Sequence, residues 1–272
     1  MKNAVEVVVP GMSTTLQDPG RAGYAHLGVP TGGAIDAALV GVVNRLVGNR
    51  PDATVIETCG GLRIRALTHL LVASSSELAP RSLSPGETCS IPAGAQGRLW
   101  HYLAVRGGLQ VEPVLGSMSF DTLSRLGPAP CQPGARYGVG AEPDQPIVAD
   151  VAPLAAVIDT ARVEIGPRVD WFEAESLLRL TSSTWTVTAS SRVGVRLTGT
   201  TLRRTITTEL PSEGLVRGAI QVPPDGDPVM MLADHPTTGG YPVIAVVHQD
   251  DVAAVAQHTA GATIRFRLQT CS

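Results

Sequence analysis

Residues 211–247 read PSEGLVRGAIQVPPDGDPVMMLADHPTTGGYPVIAVV, and they decide the fold class. Two apolar runs stand inside this stretch, Val229-Met230-Met231-Leu232 and residues 243–247. Both have strand length, and they are β-branched or Met-rich. Between them lies Asp234-His235-Pro236-Thr237-Thr238-Gly239-Gly240-Tyr241-Pro242, with two adjacent glycines, two hydroxyls, a carboxylate and a phenol. Asp, Gly and Pro cluster in turns for conformational reasons alone, so the plain expectation is a β-hairpin turn. The sharper expectation is a ligand loop, because a glycine without Cβ lets backbone N–H groups approach a bound molecule. Gln221 precedes the loop and offers an amide that both donates and accepts. The phosphate-loop pattern Gly-x-x-x-x-Gly-Lys-Ser/Thr is not found in the chain.

The surroundings extend the β reading. Hydrophobic residues make up 43% of the 272-residue chain, enough for a core of one large or two ordinary domains. Many short β-branched runs are punctuated by 29 Gly and 21 Pro, while convincing helices are few. This is the pattern of a β-rich barrel or sandwich with short accessory helices. Charged residues are 17% and the net charge is −3, which argues against nucleic-acid or membrane-surface binding. No apolar run approaches 18 residues and the first nine residues lack a secretory pattern. Cys59, Cys89, Cys131 and Cys271 are scattered, so neither a disulfide framework nor a zinc pattern is expected, and a reduced, cytoplasmic setting fits. The six histidines are not at metal-ligand spacing, and no nucleophile motif supports a Ser/His/Asp triad.

In chain order, residues 5–9 form a strand ended by Pro10-Gly11. Residues 13–36 are polar, Gly-rich and irregular, and they carry Gln17, Asp18, Arg21, Tyr24 and His26. Long irregular segments of this kind often hold function. Arg21 could take a carboxylate or phosphate, or it could simply pair with Asp18 to brace the loop. Asp36 caps a helix whose apolar face includes Val40, Val43 and Val47, stopped at Gly48-Asn49. Residues 55–57, 62–66, 70–73, 88–91 and 99–105 read as strands. Glu57, ending one of them, is expected to be solvated. A short helix is expected at 119–126. A Pro/Gly-rich stretch, 128–157, reads as a connector between a lobe at 1–127 and another at 158–272. In the second lobe, Asp170 and Glu173 suggest a capping box for a helix over 171–180. Residues 185–189 and 263–268 read as strands, and Asp250 or Asp251 is expected to cap a last helix running to Gln257.

Several of these segments together resemble a known family. The pieces are Thr15-x-Gln17-Asp18-x-Gly20-Arg21, His26-Leu27-Gly28-Val29-Pro30, Gly33-x-x-Asp36, Asn44-Arg45-Leu46-Val47-Gly48-Asn49, Leu115-Gly116-Ser117, and the runs 212–226 and 232–247. They occur in the order seen in allophanate hydrolase subunit 2, also called the 5-oxoprolinase C subunit or KipA-like, and the urea carboxylase carboxyltransferase domain is similar. One departure is that the family often has an Asp between the residues matching Ser191 and Arg192, which are adjacent here. The resemblance implies a mainly β fold with a few short helices, arranged as two cyclophilin-like β-barrel lobes.

By the same resemblance, the chain is expected to be one component of a heteromeric, ATP-dependent amide hydrolase. The reaction implied is 5-oxoproline to glutamate, with ATP used in the complex. The implied partners are homologues of allophanate hydrolase subunit 1 (the 5-oxoprolinase B subunit) and of the LamB/YcsF-like 5-oxoprolinase A subunit, with a small amide as substrate. Arg21, Arg168 and Arg192 would hold anionic groups. Gln17, Gln221, Thr237 and Thr238 would orient the amide, with His26 and Tyr241 nearby as further substrate contacts. Asp18 and Asp234 are the expected acid–base groups. A polar pocket of this kind suits polarising an amide or carbamate without a covalent intermediate on the protein. Two alternatives stay open. One is the carboxyltransferase component of a biotin-dependent urea-type carboxylase, with biotin carried on another chain because this one lacks a Met-Lys-Met-type site. The other is a non-catalytic module that antagonises a kinase inhibitor by protein contact.

Overall fold

The structure, a computed structural model, describes residues 4–144, 146–147, 151 and 156–269. Cys271 and part of the expected connector, residues 145, 148–150 and 152–155, lie outside the described residues. The chain divides into two compact units. The first comprises residues 1–21, 32–121 and 125–155, and the second 22–31, 122–124 and 156–272.

The first unit contains ten described strands: β1 (Ala4–Val9), β2 (Thr15–Gln17), β3 (Val55–Thr58), β4 (Leu62–Ala66), β5 (Leu70–Ser74), β6 (Pro80–Leu83), β7 (Thr88–Ile91), β8 (His101–Val105), β9 (Leu109–Gln110) and β10 (Arg136–Val139). They form two five-stranded sheets, β7-β4-β1-β10-β9 and β2-β3-β8-β5-β6. In β4, Leu62, Ile64 and Ala66 are buried while Arg63 and Arg65 face solvent, the alternation of a half-buried strand. One core joins residues from both sheets, including Val5, Val7, Ile64, Leu16, Ile56 and Leu103. A second core lies under helix α1 (Ala37–Leu46), where Val40, Val43 and Leu46 meet Val55, Ala73, Tyr102 and Ala104. Covered on both faces, β8 is buried at every position. As expected, the Asp36 side chain caps α1, accepting from Leu39 N at 2.9 Å.

The second unit contains β11 (Thr160–Ile165), β12 (Thr184–Ser190), β13 (Gly194–Thr198), β14 (Glu213–Gly214), β15 (Ala219–Gln221), β16 (Val229–Met231), β17 (Thr238–Gly239), β18 (Val243–Val247) and β19 (Thr263–Leu268). Seven of these close a barrel in the order β11-β18-β15-β16-β13-β12-β19, sealed by the parallel pairing of β19 with β11. Closure removes exposed strand edges. The fold is therefore mainly β, as expected, with three short α-helices among the described residues: α1, α2 (Ser176–Ser182) and α3 (Gln249–Ala256).

Several local expectations are corrected. The two apolar runs of the opening stretch do not pair as a hairpin. Both β16 and β18 pair with β15, which lies between them, and Thr238–Gly239 instead pairs with Glu213–Gly214 in a separate ribbon. Non-local pairing thus overrides the turn chemistry. Residues 119–126 form no helix, and Arg125 has φ 56°. Asp170 lies in the one-turn helix Val169–Trp171, and α2 starts only at Ser176 without a side-chain cap. His248, not Asp250 or Asp251, caps α3. Arg136–Val139, inside the Pro/Gly-rich stretch, is a strand paired with β1.

Candidate functional site

In the first unit, the loop after β2 turns back onto residues 117–120. Asp18 is the hub of this contact. Its Oδ1 accepts from Gly20 N at 2.8 Å, Ser117 Oγ at 2.6 Å and Ser119 Oγ, and its Oδ2 accepts from Met118 N at 2.6 Å. Arg21 does not pair with Asp18. It is 2% exposed and its guanidinium donates to the carbonyls of Ser119 and Val114. Gln17, fully buried, donates through Nε2 to Phe120 O and Thr15 Oγ1, both at 2.9 Å. Gly127 makes the turn possible: with φ 101°, any Cβ there would stand 2.0 Å from Ser119 O. Asp18, Pro19, Gly20, Gly116 and Met118 line a cavity of about 420 Å³, which also includes Arg50 and Thr54.

Also in the first unit, Glu57 corrects the expectation of a solvated carboxylate. It is fully buried, and its Oε2 accepts from Ile35 N at 2.8 Å and Tyr102 Oη at 2.9 Å. The Tyr102 oxygen in turn accepts from Asp36 N at 2.8 Å. Burial and the Glu57 and Asp36 carboxylates push the Tyr102 phenol well above its ordinary range. Asp36 stands 3.8 Å from Arg98, whose pKa burial pulls down against the Asp36 charge. His101 is buried, and desolvation pulls its pKa down.

In the second unit, Arg192 and Asp234 form a buried two-pronged pair, Nε–Oδ2 and Nη2–Oδ1 both 2.8 Å, with side chains 2% and 0% exposed. Asp234 N also donates to Arg192 O at 2.9 Å. Thr122 completes the arrangement, donating to Asp234 Oδ2 through N at 2.9 Å and Oγ1 at 2.7 Å. Thr122 has no local signal in the sequence, since it lies 112 residues from its partner.

A second constellation gathers around the β14–β17 ribbon. Arg168 forks onto Glu213, with Nε–Oε2 3.0 Å, and this pairing holds the Glu213 carboxyl below its usual range. Thr238 faces Gly214 across the ribbon, and Thr237 O accepts from Leu215 N at 2.9 Å. Gln221, 3% exposed, donates to Tyr241 O at 2.9 Å. It can approach this closely because residue 239 is glycine, where a Cβ would stand 2.7 Å from Gln221 Nε2. Arg168, Gln221, Thr237, Thr238 and Tyr241 are thus brought together, with Tyr241 46% exposed. His26 stands exposed on the one-turn helix Ala25–Leu27. Among the described residues no three His, Cys, Asp or Glu cluster as a metal site, and no helix is long and apolar enough to cross a membrane.

Chemically, the second unit offers a fixed cation–carboxylate pair and, separately, an amide, two threonines and a phenol at one place on the barrel. These groups can orient a small polar molecule. The carboxyltransferase domain, subdomain A and B, matches residues 27–268. The chain is 33% identical to the C subunit of 5-oxoprolinase from Escherichia coli (strain K12), over 96% of this chain and 90% of that protein. The crystal structure of TTHA0988 superposes with a TM-score of 0.88 at 31% identity, covering 98% of this chain and 56% of that one. The Kluyveromyces lactis urea carboxylase superposes with a TM-score of 0.85 at 26% identity, covering 99% of this chain but 28% of that one. The chain spans about half of TTHA0988.

Proposed function

The chain belongs to the carboxyltransferase domain, subdomain A and B, family, and from that premise we propose that it is the C-type component of a heteromeric, ATP-dependent 5-oxoprolinase. The observation that carries this reading is the near full-length match to a 5-oxoprolinase C subunit, 96% of this chain against 90% of the relative. Its partners would be homologues of the B subunit and of the LamB/YcsF-like A subunit, and ATP would be consumed by the assembled enzyme. Gln221, Thr237, Thr238 and Tyr241, gathered at the β14–β17 ribbon, would hold the small amide. Asp18 and Asp234 have their oxygens engaged, so each serves first to position its neighbours; proton transfer by either would require one of those bonds to be given up. Arg192, locked on Asp234, would present a fixed positive end to an anionic group.

The test is ATP hydrolysis with 5-oxoproline, by this chain alone and then with both companion proteins. Turnover that needs all three and depends on 5-oxoproline is the expected result. Absence of turnover from a stable three-part complex would overturn the reading. The likeness to a urea carboxylase across 99% of this chain supports a second reading, a urea-type carboxyltransferase that receives its carboxyl group from biotin on another chain. Urea-dependent carboxyl transfer from a biotinylated partner would establish it.

A further inference from the structure

The two five-stranded sheets of the first unit have four outer strands, and three of them are guarded against further pairing. All three positions of β2 are buried, β9 is two residues long, and β6 opens on Pro80 followed by an exposed Arg81. Cover, brevity, proline and charge are the usual defences of an edge strand. β7 lacks them: Thr88-Cys89-Ser90-Ile91 holds no proline and no charge, Thr88 and Ser90 are exposed, and the pairing with β4 runs without a bulge. The carbonyls of Glu87 and Ile91 turn toward β4, accepting from Ala66 N at 2.9 Å and Gly61 N at 2.8 Å. In an antiparallel ladder the alternate residues point the other way. The backbone groups of Thr88 and Ser90 therefore face away from β4, on the side where the sheet has no further strand among the described residues.

The same edge carries a groove and a charge. The groove, about 400 Å³, is walled by Val9, Gly61, Ile91 and Pro92 and lined also by Arg63 and Ser90. The chain beyond Pro92 is held firmly: Ala93 packs so closely on Gly60 that a Cβ at residue 60 would stand 2.3 Å from Ala93 Cα. On the outward face of the sheet, Arg65 and Arg136 both engage Glu6, at 3.2 Å and 3.4 Å. Arg63, two residues along β4 from Arg65 and on the same face, is exposed and makes no ion pair among the described residues. Glu87, the carboxylate next to β7, is turned onto Ser84 N at 2.6 Å. The face thus sets three guanidiniums against the Glu6 carboxylate, and antiparallel pairing of two β7 strands would bring a second set of the same cations to it. Like charges on one face oppose that pairing. An acidic strand meets attraction instead. It would lie two strand spacings from β4, about 10 Å, and Ser90, the β7 residue paired with Arg63, places no bulk between the guanidinium and the incoming chain.

We propose that the outer edge of β7 and its groove are the docking surface for an extended, acidic strand of a companion subunit. The strand adds to the sheet by main-chain hydrogen bonds, with an apolar side chain in the groove and an Asp or Glu on Arg63. That a companion exists rests on the heteromeric reading proposed above. The test titrates the full-length chain calorimetrically with the purified B-subunit homologue, at low and at rising salt. Ser90→Pro removes an outward N–H at an edge position, where proline is tolerated, and Arg63→Glu reverses the charge; circular dichroism and thermal melting check that each variant folds. Each is expected to weaken binding at least tenfold, and Arg63→Glu to flatten the loss of affinity with salt. Arg81→Glu, on the guarded edge of the other sheet, should bind like the parent. In hydrogen exchange, the segment carrying Thr88 and Ser90 should slow in the complex while that carrying β6 does not. Unchanged binding by the folded variants, or an unprotected β7 in a formed complex, would overturn the proposal. So would a homodimer of the chain alone that Ser90→Pro dissolves, since a second copy would then be the occupant. Should Ser90→Pro fail to fold, Arg63→Glu and the exchange measurement decide. The two readings fail separately. Turnover of 5-oxoproline by a three-part complex that survives both replacements sinks the docking surface alone, β7-dependent binding without turnover sinks the hydrolase reading alone, and a B-subunit homologue that does not bind this chain sinks both.

Discussion

Removing the Arg192 guanidinium would strand a carboxylate that has no access to solvent. Asp234 is 0% exposed, and each of its side-chain oxygens accepts from Arg192 at 2.8 Å. In Arg192→Ala, the Thr122 N–H and O–H would remain to hold it. Breaking a buried ion pair by deleting one partner costs about 3–5 kcal/mol, because the other charge stays buried. The Thr122 bonds retain part of the compensation, so the expected loss is about 3 kcal/mol, at the lower end of that range. Urea denaturation followed by tryptophan fluorescence measures this directly, since Trp171 and fully buried Trp185 both belong to the second unit. A paired replacement isolates the cause. In Arg192→Met with Asp234→Leu both charges are gone, and most of the loss should be recovered, because apolar substitutes for a buried ion pair are often neutral. The reasoning fails if Arg192→Ala costs less than about 1 kcal/mol, the range of an exposed pair, or if the double replacement is as unstable as the sum of the single ones.

Three further predictions rest on particular contacts. Tyr102→Phe should cost about 1–3 kcal/mol in chemical denaturation, because it leaves the buried Asp36 N–H without its acceptor and removes a donor from Glu57. In the intact protein the folded Tyr102 pKa lies above the ordinary 10.0, so its contribution is complete below pH 10 and is lost as pH rises through the folded value. Burial pushes the Tyr137 phenol up as well, so ultraviolet titration should find two of the four tyrosines, Tyr102 and Tyr137, titrating only well above pH 10, with Tyr102→Phe removing one of them. Asp251, which accepts from Arg162 N, Nε and Nη2, is held below the ordinary carboxylate pKa of 3.8 by that contact. Its stabilisation is present above that pH and lost as pH falls through the depressed folded value; acid titration of Asp251→Asn should show a shallower loss than the parent, and identical curves would contradict this. Gly127→Ala should destabilise far more than Gly86→Ala: both positions have positive φ, but only at 127 would the new Cβ strike backbone, 2.0 Å from Ser119 O. Gly86→Ala should stay near 1 kcal/mol, roughly the strain of an L-residue at positive φ, and equal melting temperatures for the two variants would contradict the packing argument.

Much of the architecture was legible before any coordinates. Residues 62–66, 88–91 and 263–268 emerge as strands with the bounds expected, because their burial alternates with the pleat and alternation is written in residue order. The Asp36 cap and the face of α1 follow from local spacing. The partnerships could not be read in this way. The spacing of Asp18 and Arg21, three residues apart, suggests a pair, yet Met118 N donates to Asp18 and Arg21 donates to Ser119 O, partners about 100 positions away. From the sequence Glu57 reads as the end of a strand, where carboxylates are usually solvated; in the structure it lies inside β3, and its partners Ile35 and Tyr102 are brought to it only by packing. The turn residues between β16 and β18 suggested a hairpin, and β15 occupies the place between those strands instead.

Periodicity, capping and turn punctuation act over a few residues, so the sequence alone determined which segments are strands and helices and that the fold is mainly β. Barrel closure, the Arg192–Asp234–Thr122 arrangement and the unsatisfied Gln17 and Arg21 atoms depend on contacts between residues far apart in the chain. Their energies are settled only when backbone pairing has excluded water from the groups that meet. That is why tertiary structure alone decided which polar residues are braces and which buried polar atoms are left without a partner.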